Sequence, residues 1–115
     1  MKYWIGVDLT GVLSLDEGWF GVTHIGPPIP AMVARIKKWR DRDIEVRIFT
    51  ARAAPPFDGG YTLSQITETI QDWCEEHVGE RLPVTCSKDR YMIKLFDDKV
   101  IQIEWNTGKP KYKGS

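Results

Sequence analysis

The sequence predicts a small α/β domain of the Rossmann-like, doubly wound type, with a parallel sheet flanked by helices. Short apolar runs alternate with amphipathic segments of helical length, and segments rich in glycine and proline separate them. Strand, helix, strand, helix, strand is the alternation of a parallel sheet with right-handed crossovers. The 115 residues are enough for one core and too few for two domains.

The first strand is predicted over residues 3–8, an apolar run of the length of a buried strand. Residues 14–27 follow as a loop that contains glycines and aromatic residues. Pro28 and Pro30 then open a helix, since proline is tolerated in a first helical turn. This helix is predicted to end near Asp43. Its apolar stripe consists of Met32, Val33, Ile36 and Trp39.

The second strand is predicted over residues 44–49, and a loop over residues 51–62 follows it. Thr62 and Gln65 have the spacing of a capping box, which predicts that a second helix begins there. The predicted buried face of this helix consists of Ile66, Ile70, Trp73 and Cys74. Three more strands are predicted over residues 82–86, 92–96 and 100–103.

Composition excludes several classes of protein. The 16 basic and 16 acidic residues leave no net charge and are mixed along the chain, so no nucleic-acid-binding face is expected. No apolar run approaches membrane length and no signal peptide is visible, so no membrane partner is expected. Cys74 and Cys86 are expected to be reduced thiols in a cytoplasmic protein. Residues 1–108 are predicted as the domain, and residues 109–115 as a flexible basic tail.

Polar side chains follow three of the predicted strands, at what should be one edge of the sheet. A buried strand that ends in a carboxylate is costly unless a cation or hydrogen bonds hold it, and ligands of open α/β sheets bind at this edge. Carboxylates from two strand ends suit Mg²⁺, and nearby donors suit phosphate. The residues are Asp8 and Thr10 after the first strand, Thr50, Ala51 and Arg52 after the second, and Asp97 and Asp98 after the fourth.

These strand ends resemble the motifs of the haloacid dehalogenase (HAD) phosphatases, especially small capless members from bacterial and phage genomes. VDLTGVL, IFTAR, TCSKD and LFDDKV stand in the places of the four motifs. The resemblance covers nearly the whole chain and implies an HAD-type fold without a large cap domain. It also implies that Asp8 is the nucleophile, that Thr50 hydrogen-bonds phosphate and that Lys88 is the lysine of the third motif. Lys94 is the competing lysine.

The resemblance further implies a magnesium site. Asp8 and Asp97 would be the carboxylate ligands, Thr10 would contribute its main-chain carbonyl, and Asp98 would lie close by or act through water.

The pattern breaks at Thr10, which stands where the family places the aspartate that acts as acid and base. A threonine hydroxyl cannot exchange a proton near neutral pH, and general acid–base catalysis contributes about 10²–10⁴-fold. Val12 also replaces a common threonine. P-type ATPases work with D-K-T-G-T, but they rely on a further domain. The alternative is a degenerate site that binds a phosphorylated molecule without turnover, and we favour it.

Two loops supply aromatic and basic side chains for a ligand, and aromatic rings suit stacking on a nucleobase. These side chains are Trp19, Phe20 and His24 in the first loop and Phe57 and Tyr61 in the second. The alternative is that Trp19 and Phe20 only cover the first helix, and a lone loop histidine is often incidental. Arg52 would bind a second phosphate or form a surface ion pair. A pyrophosphate-bearing nucleotide fits this inventory better than a sugar phosphate.

Three hypotheses therefore stand. The first is a protein that binds a phosphorylated molecule, a nucleotide above all, with little or no hydrolysis. Its analogy is with phage proteins that sequester nucleotide immune signals, such as cyclic ADP-ribose derivatives. The second is a Mg²⁺-dependent phosphomonoesterase with a phosphorylated Asp8 intermediate. The third is an interaction domain with a relict site. Each of these hypotheses is compatible with a homo-oligomer in which a partner subunit covers the uncapped site.

Overall fold

The computed structural model describes residues 2–111, which form an α/β fold. One sheet contains β1 (Trp4–Val7), β2 (Glu45–Phe49), β3 (Val84–Thr85) and β4 (Met92–Phe96). The α-helices are α1 (Pro30–Asp41) and α2 (Leu63–His77), and short 3₁₀ turns lie at Ala51–Ala53 and Asp58–Gly60. All paired strands are parallel, in the order β3-β2-β1-β4. The prediction of a parallel α/β sheet flanked by helices is confirmed, and it is consistent with a Rossmann-like fold.

Both helices begin at the predicted local signals. Pro30 occupies the first turn of α1, where its missing N–H costs no helical hydrogen bond. At α2, the Gln65 N–H donates to Thr62 Oγ1 (3.2 Å) and the Thr62 N–H donates to Gln65 Oε1 (2.9 Å), which completes the predicted capping box.

The hydrophobic core lies between the helices and one face of the sheet. Successive strand residues point to opposite faces, and Ile5 and Val7 point to this one. Val33 and Ile36 of α1 join the same cluster. So does the whole predicted face of α2, which consists of Ile66, Ile70, Trp73 and Cys74.

The second face of the sheet is covered by a tryptophan ring. Trp4 is fully buried but lies outside the core cluster. Its ring packs over Gly6, where an added Cβ would come within 3.2 Å of the ring and 3.1 Å of Leu95. The Arg47 guanidinium lies 4.4 Å above the ring, and Trp4 Nε1 donates to Asp89 (2.9 Å). A side chain here takes the place that a helix would otherwise fill.

Two strand predictions need correction. Residues 100–103 do not form a fifth strand; Ile103 makes only an isolated bridge to Pro110, and residues 98–111 are exposed. Their apolar alternation fits a strand, but residues 100–103 do not pair with β4, whose neighbour among the described strands is β1. The third strand is also shorter than predicted, because Pro83 has no N–H to donate; its carbonyl accepts from the Ile48 N–H (2.8 Å).

The predicted tail is described only up to Lys111, and residues 112–115 lie outside the described residues. Lys109 O accepts from the Glu104 N–H (2.7 Å), and the Lys111 N–H donates to Gln102 O (2.9 Å). Within residues 2–111, no helix is long and apolar enough to cross a membrane.

Candidate functional site

Asp8 occupies the point of the sheet where the direction of the chain's progress reverses. The chain moves from β1 to β2 to β3 and then returns to the other side of β1 to form β4. β1 and β4 therefore flank the switch point at which ligands of open parallel sheets bind. The Asp8 N–H donates to Phe96 O at the end of β4 (2.9 Å), and Asp8 Oδ1 accepts from the Leu9 N–H (2.9 Å).

Three carboxylates meet at this point. One oxygen each from Asp8, Asp97 and Asp98 lie within 4.8 Å of one another. Burial and, next in weight, the charge of Asp97 raise the pKa of Asp8 to about 6. Converging carboxylate oxygens are the donors that hard divalent cations such as Mg²⁺ prefer, and a bound cation would offset this repulsion. The donor set of the three predicted aspartates therefore fits a divalent cation.

Local turns hold the three aspartates in place. Gly11 has φ +86°, and a Cβ added to it would come within 2.9 Å of Asp98 Oδ2. The positive φ favours glycine, and a larger residue would also displace the Asp98 carboxylate from its present position. Asp97 Oδ1 accepts from the Lys99 N–H (2.8 Å), which closes a tight turn directly after β4.

The end of β2 lies on the other side of Asp8. Thr50 is buried, and its N–H donates to Thr85 O (2.9 Å). Thr50 Oγ1 accepts from the Arg52 N–H (3.2 Å) and so caps the 3₁₀ turn Ala51–Ala53. Sequence order thus delivers a hydroxyl and a guanidinium to the same edge as the carboxylates.

Arg52 ties the first loop to the site. Its Nη1 donates to the carbonyls of Val22 (3.0 Å) and His24 (2.7 Å), and its Nη2 donates to Thr10 Oγ1 (3.2 Å). Its guanidinium also lies 5.1 Å from the Trp19 ring centre. Burial lowers the pKa of Arg52, while the charge of Asp8 raises it. Arginine keeps its charge in proteins, so the Arg52 guanidinium is a positive charge fixed in the site by its hydrogen bonds.

A cavity of about 660 Å³ opens over these strand ends. Seven predicted site residues line it: Asp8, Thr10, Trp19, Thr50, Ala51, Arg52 and Asp97. The prediction did not include six others, which are Asp16, Gly18, Phe49, Ala54, Cys86 and Lys99. Three of these could have been predicted from their place at the ends of strands. Phe49 ends β2, Cys86 follows β3, and Lys99 follows the two aspartates after β4.

The remaining predicted residues do not line this cavity. Asp98 belongs to the carboxylate cluster and faces a smaller groove with Gly11 and Met32. Lys88 and Lys94 are exposed, in the connection before β4 and on β4 itself. The other predicted ligand-binding residues lie in the loops: Phe20 packs edge-on to His24 (5.2 Å between ring centres), Phe57 packs against the core, and Tyr61 lines a separate groove.

Comparisons with protein-family models, with curated proteins and with solved structures find no significant match to this chain. The likeness to HAD phosphatases therefore depends on the four sequence motifs.

Proposed function

We propose that the chain is an HAD-like protein that binds a phosphorylated small molecule, a nucleotide, with little or no hydrolysis. One observation carries the proposal: Arg52 Nη2 donates to Thr10 Oγ1 (3.2 Å) in the cavity that Asp8 and Thr50 line. A neutral hydroxyl held by a fixed cation stands where an HAD phosphatase needs a carboxyl group. The site keeps groups that can bind phosphate and lacks the group that would transfer a proton.

Mg²⁺ is the proposed cation. Asp8 and Asp97 would hold it through their carboxylates, the main-chain carbonyl of Thr10 would contribute a further oxygen, and Asp98 would lie close by or act through water. When bound, the ion would neutralise phosphate charge. Thr50 Oγ1 lies on the opposite side of Asp8 from Asp97, where its hydroxyl can donate to a phosphate oxygen.

The nucleotide assignment depends on Trp19. Its ring lines the same cavity, is 60% exposed and lies near the Arg52 guanidinium. An exposed aromatic ring beside a cation suits a ligand that has both a planar base and phosphate groups. Phe20, Phe57 and Tyr61 lie outside this cavity, so Trp19 carries this part of the proposal. Sequestration of a nucleotide immune signal remains an analogy.

The alternative is a Mg²⁺-dependent phosphomonoesterase, and the position of Asp8 favours it, because Asp8 lines the cavity together with Thr50 and Asp97 and can serve as its nucleophile. An Asp8 oxygen would form a bond to phosphorus while the bond to the leaving oxygen breaks. The leaving oxygen would take its proton from water, and a second water would release phosphate and restore Asp8. Activated esters need least help from the missing acid.

The test is phosphate release with Mg²⁺ from a panel of phosphomonoesters and nucleotides. We expect the native chain to release little phosphate and to return its ligand intact, and Thr10→Asp to gain about 10²–10⁴-fold. Asp8→Asn should stay inactive in both backgrounds. Asp43→Asn is the matched control, because Asp43 precedes β2 at the far end of the strands. Rapid native release that disappears in Asp8→Asn would establish the phosphatase instead.

A further inference from the structure

Two basic side chains flank Asp8 in the cavity. Arg52 follows β2 and Lys99 follows β4, and these strands lie on opposite sides of β1 in the sheet. Parallel strands all end at the same edge, so the two residues lie on opposite sides of Asp8 along that edge. Among residues 2–111, no other lysine or arginine lines this cavity.

Lys99 is tied to the site by its backbone. Its N–H donates to Asp97 Oδ1 (2.8 Å), so its position is set by the same turn that places the carboxylate. Among the described residues, no carboxylate lies within 4.0 Å of the Lys99 or Arg52 cation, whereas Arg40, Arg47 and Arg81 each have at least one such partner. Arg52 already donates through Nη1 to two carbonyls and through Nη2 to Thr10 Oγ1. An anionic ligand can therefore use the positive charge and the remaining N–H groups of Arg52, together with the Lys99 ammonium.

The charge of the cavity links anion binding to the cation site. Its lining contains the three aspartates Asp8, Asp16 and Asp97 and the two cations. With Asp98 counted, the empty site carries two net negative charges, which repel phosphate. A divalent cation would cancel them, so phosphate and metal should each strengthen the binding of the other.

We propose that Lys99, and not Lys88 or Lys94, is the lysine that binds ligand phosphate, and that Lys99 and Arg52 together select ligands with two linked phosphoryl groups. This inference rests on the proposed function and names its ligand class, a pyrophosphate-bearing molecule. A diphosphate can offer one phosphoryl group to each cation, whereas a single phosphate offers one group to both. Two charge-assisted contacts then replace one.

Calorimetric titration with inorganic phosphate and pyrophosphate, in Mg²⁺ and in EDTA, tests this. We expect the native chain to bind pyrophosphate about tenfold or more tightly than phosphate, and only with Mg²⁺. Lys99→Gln and Arg52→Gln should each weaken pyrophosphate binding about tenfold to a hundredfold and remove most of this preference. Lys88→Gln and Lys94→Gln are the matched controls and should change affinity less than about twofold.

The outcomes separate this inference from the function it rests on. If the native chain binds neither anion, both fail. If it binds phosphate with Mg²⁺ and Asp8→Asn does not, the proposed function survives. The inference is then overturned by loss of affinity in Lys88→Gln or Lys94→Gln instead of Lys99→Gln, or by equal affinities for the two anions. Arg52→Lys keeps the charge if Arg52→Gln does not fold, and it should retain more of the pyrophosphate preference than a neutral side chain.

Discussion

The carboxyl group of Asp8 has a pKa well above that of an ordinary aspartate. Burial and the neighbouring Asp97 raise its pKa to about 6, so the folded chain holds a proton that the unfolded chain has already released. Between about pH 4 and pH 6 the folded state therefore binds more protons than the unfolded state, and stability falls as pH rises through this window. A bound cation would reverse the effect, because carboxylate ligands must be deprotonated.

We predict that Asp8→Asn stabilises the metal-free chain more at about pH 7 than at about pH 4.5, because the amide cannot ionise. Urea unfolding in EDTA at the two pH values measures the difference, and the contributions of other groups largely cancel in the comparison. Mg²⁺ should stabilise the native chain at neutral pH and leave the variant unchanged. A difference in unfolding free energy that does not vary with pH would contradict this account of Asp8.

At the scale of elements, β1 serves both faces of the sheet. Ile5 and Val7 pack under the helices, and Trp4 covers the opposite face by lying over Gly6. The indole needs its hydrogen bond to Asp89 there, because Nε1 would otherwise be buried without a partner. Asp89, which accepts this hydrogen bond, lies in the connection between β3 and β4. The Trp4 ring therefore joins that connection to the sheet.

We predict that Trp4→Ala lowers the free energy of unfolding by about 3–5 kcal/mol, the usual cost of removing a large buried aromatic side chain. Trp4→Phe should cost less, because it keeps most of the ring and loses the bond to Asp89. Trp105→Ala is the matched control: that side chain is 86% exposed, so we expect a change within about 0.5 kcal/mol. Urea unfolding measures all three, and equal effects at positions 4 and 105 would refute the packing argument.

At the scale of the whole molecule, the two cysteines report different events. Cys74 is fully buried on α2, and burial raises the pKa of its thiol to about 12. Cys86 is exposed beside the cavity. Thiol reagents attack the thiolate, so Cys74 can react only when the core opens.

We predict that a thiol reagent at about pH 8 modifies one cysteine rapidly in the native chain and both in denaturant. Cys86→Ser should remove the rapid phase, and Cys74→Ala should remove the slow one. The slow rate should rise with urea in parallel with global unfolding. Rapid modification of both thiols in the native chain would mean that the core around α2 opens locally.

Local patterns in the sequence were enough for most of the elements. The apolar run before Asp8 predicted β1, the Thr62–Gln65 pair predicted the start of α2, and residues 92–96 match β4. These features depend on neighbours within a few residues, on helix caps and on the periodicity of one buried face. The grouping of Asp8, Thr50, Arg52 and Asp97 was also predictable, because parallel strands all end at the same edge of a sheet.

Only the tertiary structure decided what depends on strand order and on loop paths. The apolar alternation at residues 100–103 could not reveal that, within residues 2–111, no strand pairs with the side of β4 that faces away from β1. Sequence likeness favoured Lys88, whereas Lys99 is the lysine that lines the cavity, because the turn after β4 brings it there. Of the five aromatic or histidine candidates in the loops, only Trp19 lines it. A sequence pattern specifies which side chains are buried or capped, but long-range packing determines which of them meet.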